Sequence, residues 1–325
     1  MIPPKSNIYL ETSAVNFLAD KFSWRDGKAT RIYHELKGSR FYISTVTIWE
    51  ILLTADEERK DALIQYLQNI TYYKLINSPS EFIISFLKSG CPLVEKSYDF
   101  HSKLQIAEVW NDLCENPLKS FVYNQENLKQ RADKIREVFK HASKQLEDIV
   151  LLLPNEMAVS RDQILLDKYL RNLKEVDLSE TDERERKLFK ISLVLILIIL
   201  CTGIEIDNTP INDFWESIGI NKIEERLSYV LKHYETIVYR GPIAVASTMV
   251  LTQLEIGGKP TRGILWDALH SINLIYTDYF LTADEHFKKL KDKNDHLIYS
   301  RIIHLSDDPV FTARKIEIED HKILQ

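Results

Sequence analysis

Asp278-Tyr279-Phe280-Leu281-Thr282-Ala283-Asp284-Glu285-His286-Phe287 sets a strand, a turn and a helix start side by side. Tyr279–Thr282 is a short run of strand-forming side chains, and residues 285–291 continue with helical spacing. Asp284 stands at the junction. The same arrangement opens the chain, where Ile8-Tyr9-Leu10-Glu11-Thr12-Ser13 is an apolar strand closed by Glu11. Val46-Thr47-Ile48-Trp49-Glu50 begins a helix after a second strand, and Trp266-Asp267-Ala268-Leu269-His270 lies on the helix leading into the Tyr279 strand. The order strand-acid, helix-acid, long gap, helix-acid, strand-turn-acid predicts one parallel sheet whose carboxylates converge, interrupted by an insertion.

Working outward, the first 90 residues alternate strand and helix signals at short spacing, the pattern of a parallel sheet covered by helices. Strands are expected at 8–11, 41–44 and 72–76. Helices are expected at 30–36 and 47–53, resuming over 56–68, with Pro79 at a further helix start. From Cys91 to Pro260 the strand signal largely disappears. Periodic stretches at 126–153, 162–173, 182–201 and 222–238 predict helices, and Ser179-Glu180-Thr181-Asp182 has the capping-box form. Gly257-Gly258-Lys259-Pro260 breaks the pattern. A helix at 262–275, a strand at Tyr279–Thr282, a helix at 285–291 and a strand at 302–305 follow. Neither end supplies a full sheet alone, so the expected fold is α/β. It comprises a five-stranded parallel sheet sandwiched by helices, built from residues 1–90 and 260–325, with residues 91–259 as an all-helical lobe.

Composition is that of a globular protein, 45% hydrophobic and 28% charged, with only 9 Gly and 10 Pro in 325 residues. Cys91, Cys114 and Cys201 lie far apart without zinc spacing and fit a reducing compartment. The N-terminal residues lack the apolar core and cleavage site of a signal peptide, so a cytoplasmic location is expected. The apolar run Ile191 to Cys201 is too short to span a bilayer and predicts a helix buried within the protein or in a dimer interface. A net charge of −6 argues against broad electrostatic binding to nucleic acid, leaving local patches and bound metal as the means.

Parallel strands put their C-terminal ends on one edge, where open α/β sheets bind ligands. Glu11, Glu50, Asp267 and Asp284 can all reach such a crevice. Carboxylates packed together repel, and a hard divalent cation with oxygen ligands resolves the repulsion. Each residue also has a purely structural alternative. Thr47-Ile48-Trp49-Glu50 and Thr282-Ala283-Asp284-Glu285 match the capping box, so Glu50 could serve a helix end. Asp284 could be a first-turn acid favoured by the helix dipole. Asp267 lies off the stripe Leu265, Ala268, Leu269, Ile272, which suggests a solvated face. Glu11 ends an apolar strand, where a charge needs a partner or a task.

Taken together, these segments resemble the PIN-domain nucleases. Ile8 to Ser13 looks like that family's opening strand and first acid, Val46 to Glu50 like its second, Trp266 to His270 like its third, and Asp278 to Phe287 like its closing strand with the fourth. The resemblance covers roughly residues 6–90 and 260–306, and it departs at Glu11, where the family ordinarily has aspartate. It implies a PIN-like, Rossmann-like three-layer core in which Glu11, Glu50, Asp267 and Asp284 bind one or two Mg2+ or Mn2+ ions. By that resemblance the metal would activate a water for hydrolysis of a phosphodiester, in RNA first and DNA second. Thr12, Ser13, Thr282 and Glu285 would assist near the metal or phosphate, and Asp278 would be a turn residue.

Basic contacts for the substrate are sought in Lys288, Lys289, Lys291 and Lys293, and in Lys129, Arg131, Lys134, Arg136, Lys140 and Lys144 of the lobe. The lobe could equally form a homodimer or bind a regulatory protein. Two other functions stand beside the nuclease. One is a non-catalytic RNA- or protein-binding scaffold with a weakened metal site, which Glu11 would favour. The other is a phosphohydrolase, disfavoured because the opening strand carries a lone acid and no Asp-x-Asp pair.

Overall fold

In β1 (Asn7–Leu10) the consecutive side chains of Ile8, Tyr9 and Leu10 are all fully buried. Successive strand residues face opposite sides, so both faces of this strand are covered. The computed structural model describes residues 5–21, 38–71, 75–76, 79–88, 183–196, 209–232, 241–257 and 263–307. After β1 come α1 (Thr12–Lys21), β2 (Arg40–Tyr42), α2 (Thr45–Leu52), α3 (Glu57–Thr71), α4 (Pro79–Lys88), α5 (Glu183–Ile196), α6 (Thr209–Ser217) and α7 (Ile223–Lys232). They are followed by α8 (Gly241–Gly257), α9 (Ile264–Ser271), β3 (Tyr279–Thr282), α10 (Glu285–Lys293) and β4 (Ile302–His304).

The strands form one all-parallel sheet in the order β2-β1-β3-β4. The fold class is therefore α/β, as the alternation of signals predicted. Of the expected third strand at 72–76, only Leu75 and Ile76 are described. Leu75 bridges Ile43 in parallel beyond β2, and the Ile76 amide donates to the Ile43 carbonyl at 2.9 Å. The first strand ends at Leu10 rather than Glu11, and the last at His304 rather than Leu305. The expected helices at 30–36, 126–153 and 162–173 lie outside the described residues.

The chain forms two compact units, one of Met1–Pro79, Val94–Arg136 and Leu269–Gln325 and the other of Ser80–Leu93 and Glu137–Ala268. In the sheet unit, α1 packs on α2, α3 and β3, α3 on β2, and α10 on β4. Helix α1 is absent from the sequence expectation because its polar residues outnumber a short buried stripe of Ala14, Val15 and Leu18. The center of the core is aromatic: Phe280 lies 5.2 Å from the Tyr9 ring and 4.7 Å from Phe287.

In the second unit the elements described between 183 and 257 are all helices, in keeping with the loss of strand signal there. Helix α5 packs on α8, burying Ile191 and Leu195, and Ser192 donates to Ser247 at 2.7 Å across the pair. Helix α8 is apolar on nearly all sides, as suits a helix at the center of a bundle. Gly241 starts it at φ +76°, where a Cβ would stand 2.6 Å from the Phe86 ring, so both backbone and packing require glycine. Among the described residues, no helix is long and apolar enough to cross a membrane.

Because Phe280 joins β1, β3 and α10 through its ring contacts, Phe280→Ala is expected to lower the unfolding free energy by about 3–5 kcal/mol. Urea denaturation followed by circular dichroism measures this, and a near-neutral result would mean that the sheet does not depend on that ring.

Candidate functional site

Chain order and spatial order part company between β1 and β3, since the chain leaves β1 for β2 on one side and returns to β3 on the other. That is the topological switch point, where the C-terminal ends of parallel strands leave a crevice. Glu11 stands one residue beyond the end of β1, its amide still bonded to the Leu281 carbonyl at 3.1 Å. Thr282 closes β3, and Asp284 follows two residues later.

Glu11 is buried, and neighbouring donors surround its carboxyl. The Ser13 amide donates to Oε1 at 2.9 Å, Thr282 Oγ1 donates to Oε2 at 3.0 Å, and Ser13 Oγ also donates to Oε2. Loss of hydration nevertheless dominates and raises its pKa from 4.5 to about 7; His270 pulls it down, Glu50 pushes it up, and the two Ser13 bonds pull it down again. Ser13 and Thr282 therefore touch Glu11 directly; the resemblance implied hydroxyls near a metal or phosphate. Ser13 Oγ also accepts from the Ala283 amide at 2.8 Å, and Thr282 Oγ1 from the Asp284 amide at 3.0 Å. The hydroxyls thus tie the end of β1 to the turn after β3.

Glu50 lies in α2, whose N-cap is Ser44, so the capping-box reading of Thr47 and Glu50 is corrected. Thr47 sits inside the helix and donates to the Leu10 carbonyl at 3.3 Å. Glu50 is 23% exposed, and its Oε2 meets the Thr12 hydroxyl and, at 2.7 Å, His270 Nε2. The ligand atoms of Glu11, Glu50 and His270 all lie within 4.8 Å of one another. A set gathered this closely could hold one divalent cation.

His270 is the residue that sequence reasoning missed. It was visible three residues after Asp267, on the same helix face by its spacing, but a lone histidine in an apolar helix reads as core. It is fully buried, with Nδ1 2.6 Å from the Tyr9 hydroxyl. That hydroxyl also meets Ser44 at 2.8 Å and Thr47 at 3.2 Å, and burial pushes its pKa well up, which keeps the phenol protonated.

Asp284 is the N-cap of α10 and accepts from the His286 amide at 2.7 Å, so it precedes the first turn expected for it, and the capping-box reading of Thr282 and Glu285 is corrected with it. Asp284 remains half-exposed, with His286 Nδ1 3.3 Å from the same carboxylate. Asp267, in the second unit, is not on a solvated face as its position off the apolar stripe suggested. It is buried and accepts from Gln253 Nε2 at 2.5 Å. Glu285 is exposed, 3.8 Å from His304 Nε2. Asp278 lies at the opposite edge of the sheet, accepting from the Asn7 amide at 2.9 Å, in line with a turn role. Of the lysines after Asp284, Lys288 pairs with Asp307 at 2.8 Å and Lys291 donates to the Ile302 carbonyl at 2.9 Å, while Lys289 and Lys293 are exposed. The basic residues of 129–144 lie outside the described residues.

Comparison of the chain with protein-family models, with curated proteins and with solved structures returns no match.

The buried Glu11 carboxyl makes stability depend on pH in a fixed direction. Its neutral form is favoured in the fold, so its contribution is intact below pH 4.5 and is lost as pH rises through about 7. In the presence of a chelator, Glu11→Gln should therefore be more stable than the wild type at pH 8, by on the order of 3 kcal/mol, and should show no such advantage at pH 4.5. Denaturant titrations at the two pH values measure this, and an advantage independent of pH would contradict the assignment to Glu11.

Proposed function

We propose that the chain is a metal-dependent nuclease with a PIN-like, three-layer core assembled from residues 1–90 and 260–325, residues 91–259 forming an inserted helical lobe, and that it hydrolyses phosphodiester bonds in RNA. The observation that carries this is the meeting of Glu11 and Glu50, with His270, at the switch point of a parallel sheet. Two carboxylates held this close, one of them buried, are a poor arrangement for stability alone and a good one for a divalent cation. Asp267 and Asp284 enter the proposal on their sequence pattern.

A divalent cation such as Mg2+ or Mn2+, when bound, supplies a water acidified toward neutral pH and a positive charge for the phosphoryl oxygens. The chain's own residues do the rest. The Ser13 amide and the Ser13 and Thr282 hydroxyls orient the Glu11 carboxyl, so its oxygens are aimed before a ligand arrives. Thr12 holds the Glu50 carboxylate from the first turn of α1. Half-exposed Glu50 and Asp284 border the side from which a polyanion can approach. Lys289 and Lys293 offer exposed positive charge on the helix that Asp284 caps, within reach of a phosphate backbone.

One observation favours the scaffold instead: the carboxylates of Glu11 and Glu50 already have hydroxyl, amide or imidazole partners. A scaffold would give no saturable heat with Mn2+ that Glu50→Gln removes.

The purified chain should cleave single-stranded or structured RNA only when Mg2+ or Mn2+ is added. Glu50→Gln and Asp284→Asn should each lower the rate by at least about 100-fold without changing the circular dichroism spectrum. Cleavage that survives in both folded variants would sink the nuclease reading.

A further inference from the structure

Among the described residues, His270 is the one nitrogen donor in a cluster otherwise made of carboxylates, and its surroundings are those of a held ligand. Its Nε2 points to the Glu50 carboxylate at 2.7 Å and lies 3.3 Å from the Thr12 hydroxyl, on the side where Glu50 is partly exposed. Its Nδ1 points the other way, to the Tyr9 hydroxyl at 2.6 Å. A ring gripped at Nδ1 by a buried partner and presenting Nε2 to acids has the form in which proteins hold a metal-ligating imidazole.

Resting on the metal-dependent reading above, we infer that His270 is a third ligand through Nε2, that Tyr9 is its positioning residue, and that the resulting set of two carboxylates and one imidazole selects a first-row transition ion over Mg2+. Imidazole suits transition ions, whereas Mg2+ prefers an all-oxygen shell and keeps much of its water.

The protons balance within the observed hydrogen bonds. With Nε2–H donating to Glu50, Nδ1 accepts from the Tyr9 hydroxyl. For Nε2 to offer its lone pair to a cation, the ring proton must sit on Nδ1 and donate to the Tyr9 oxygen. The Tyr9 hydroxyl can take either role, because Ser44 Oγ at 2.8 Å and Thr47 Oγ1 at 3.2 Å are there to accept its proton. Both tautomers are satisfied without moving a heavy atom of the shell. A phenylalanine in place of Tyr9 would leave the ring's packing against Phe280 and remove this bond together with the hydroxyl's contacts to Ser44 and Thr47.

The test uses the full-length chain and Mn2+ as the probe. Pulsed electron paramagnetic resonance of the Mn2+-loaded wild type should show a 14N coupling from a directly bound imidazole. Calorimetric titration should show Mn2+ binding more tightly than Mg2+. Tyr9→Phe should weaken Mn2+ by about 10- to 100-fold and leave Mg2+ unchanged. His270→Gln should abolish both the 14N coupling and the preference. Saturable Mn2+ binding and RNA cleavage without 14N coupling in the wild type would overturn this inference while leaving the nuclease standing, and needs no variant to fold. Absence of saturable binding by either ion would overturn both.

Discussion

Everything at the switch point depends on one electrostatic constraint, a carboxyl group held where the sheet excludes water. Glu11 follows three fully buried strand residues and is itself buried, so its charge loses most of its hydration. Three donor bonds from Ser13 and Thr282 recover part of that loss, and the pKa still rises to about 7. A second carboxylate on α2 adds repulsion. A cation beside both would reverse the sign of the environment, turning a costly pair into a ligand set.

The fold serves that constraint economically. Because the sheet is parallel and the order is β2-β1-β3-β4, the ends of β1 and β3 are neighbours although residues 10 and 281 are far apart in the chain. Helix α1 starts immediately after Glu11, which puts Thr12 and Ser13 on opposite tasks, one on Glu50 and the other on Glu11. Thr282 is the last residue of β3 and reaches across to the same carboxyl. Four hydrogen-bonding side chains are thus positioned by strand ends and a helix start, without a long loop.

Much of this was legible in the sequence. The strand at Tyr279–Thr282 was clear because its apolar run ends at a turn acid and a helix start, and Glu11 was conspicuous as a charge closing an apolar strand. Ser13 and Thr282 entered only through the family resemblance, as hydroxyls near a metal or phosphate, and their bonds to Glu11 come from the fold. What failed did so for physical reasons. The capping box at Thr47 and Glu50 is a four-residue coincidence that tertiary packing overrode, placing Ser44 at the helix start. The structural alternative for Asp267, a solvated face, rested on a stripe that could not include Gln253, fourteen residues earlier on another helix. His270 was missed since its partners Tyr9, Thr12 and Glu50 come from the other end of the chain. Periodicity reports which face is apolar, not which distant residue that face meets.

The most direct measurement is the anomalous difference density of crystals of the full chain grown with Mn2+. A manganese peak within bonding distance of carboxylate oxygens of both Glu11 and Glu50, at the C-terminal edge of β1, is the predicted result. An ordered Glu11 that keeps its Ser13 and Thr282 bonds with no manganese beside it at saturating Mn2+ would contradict the metal centre.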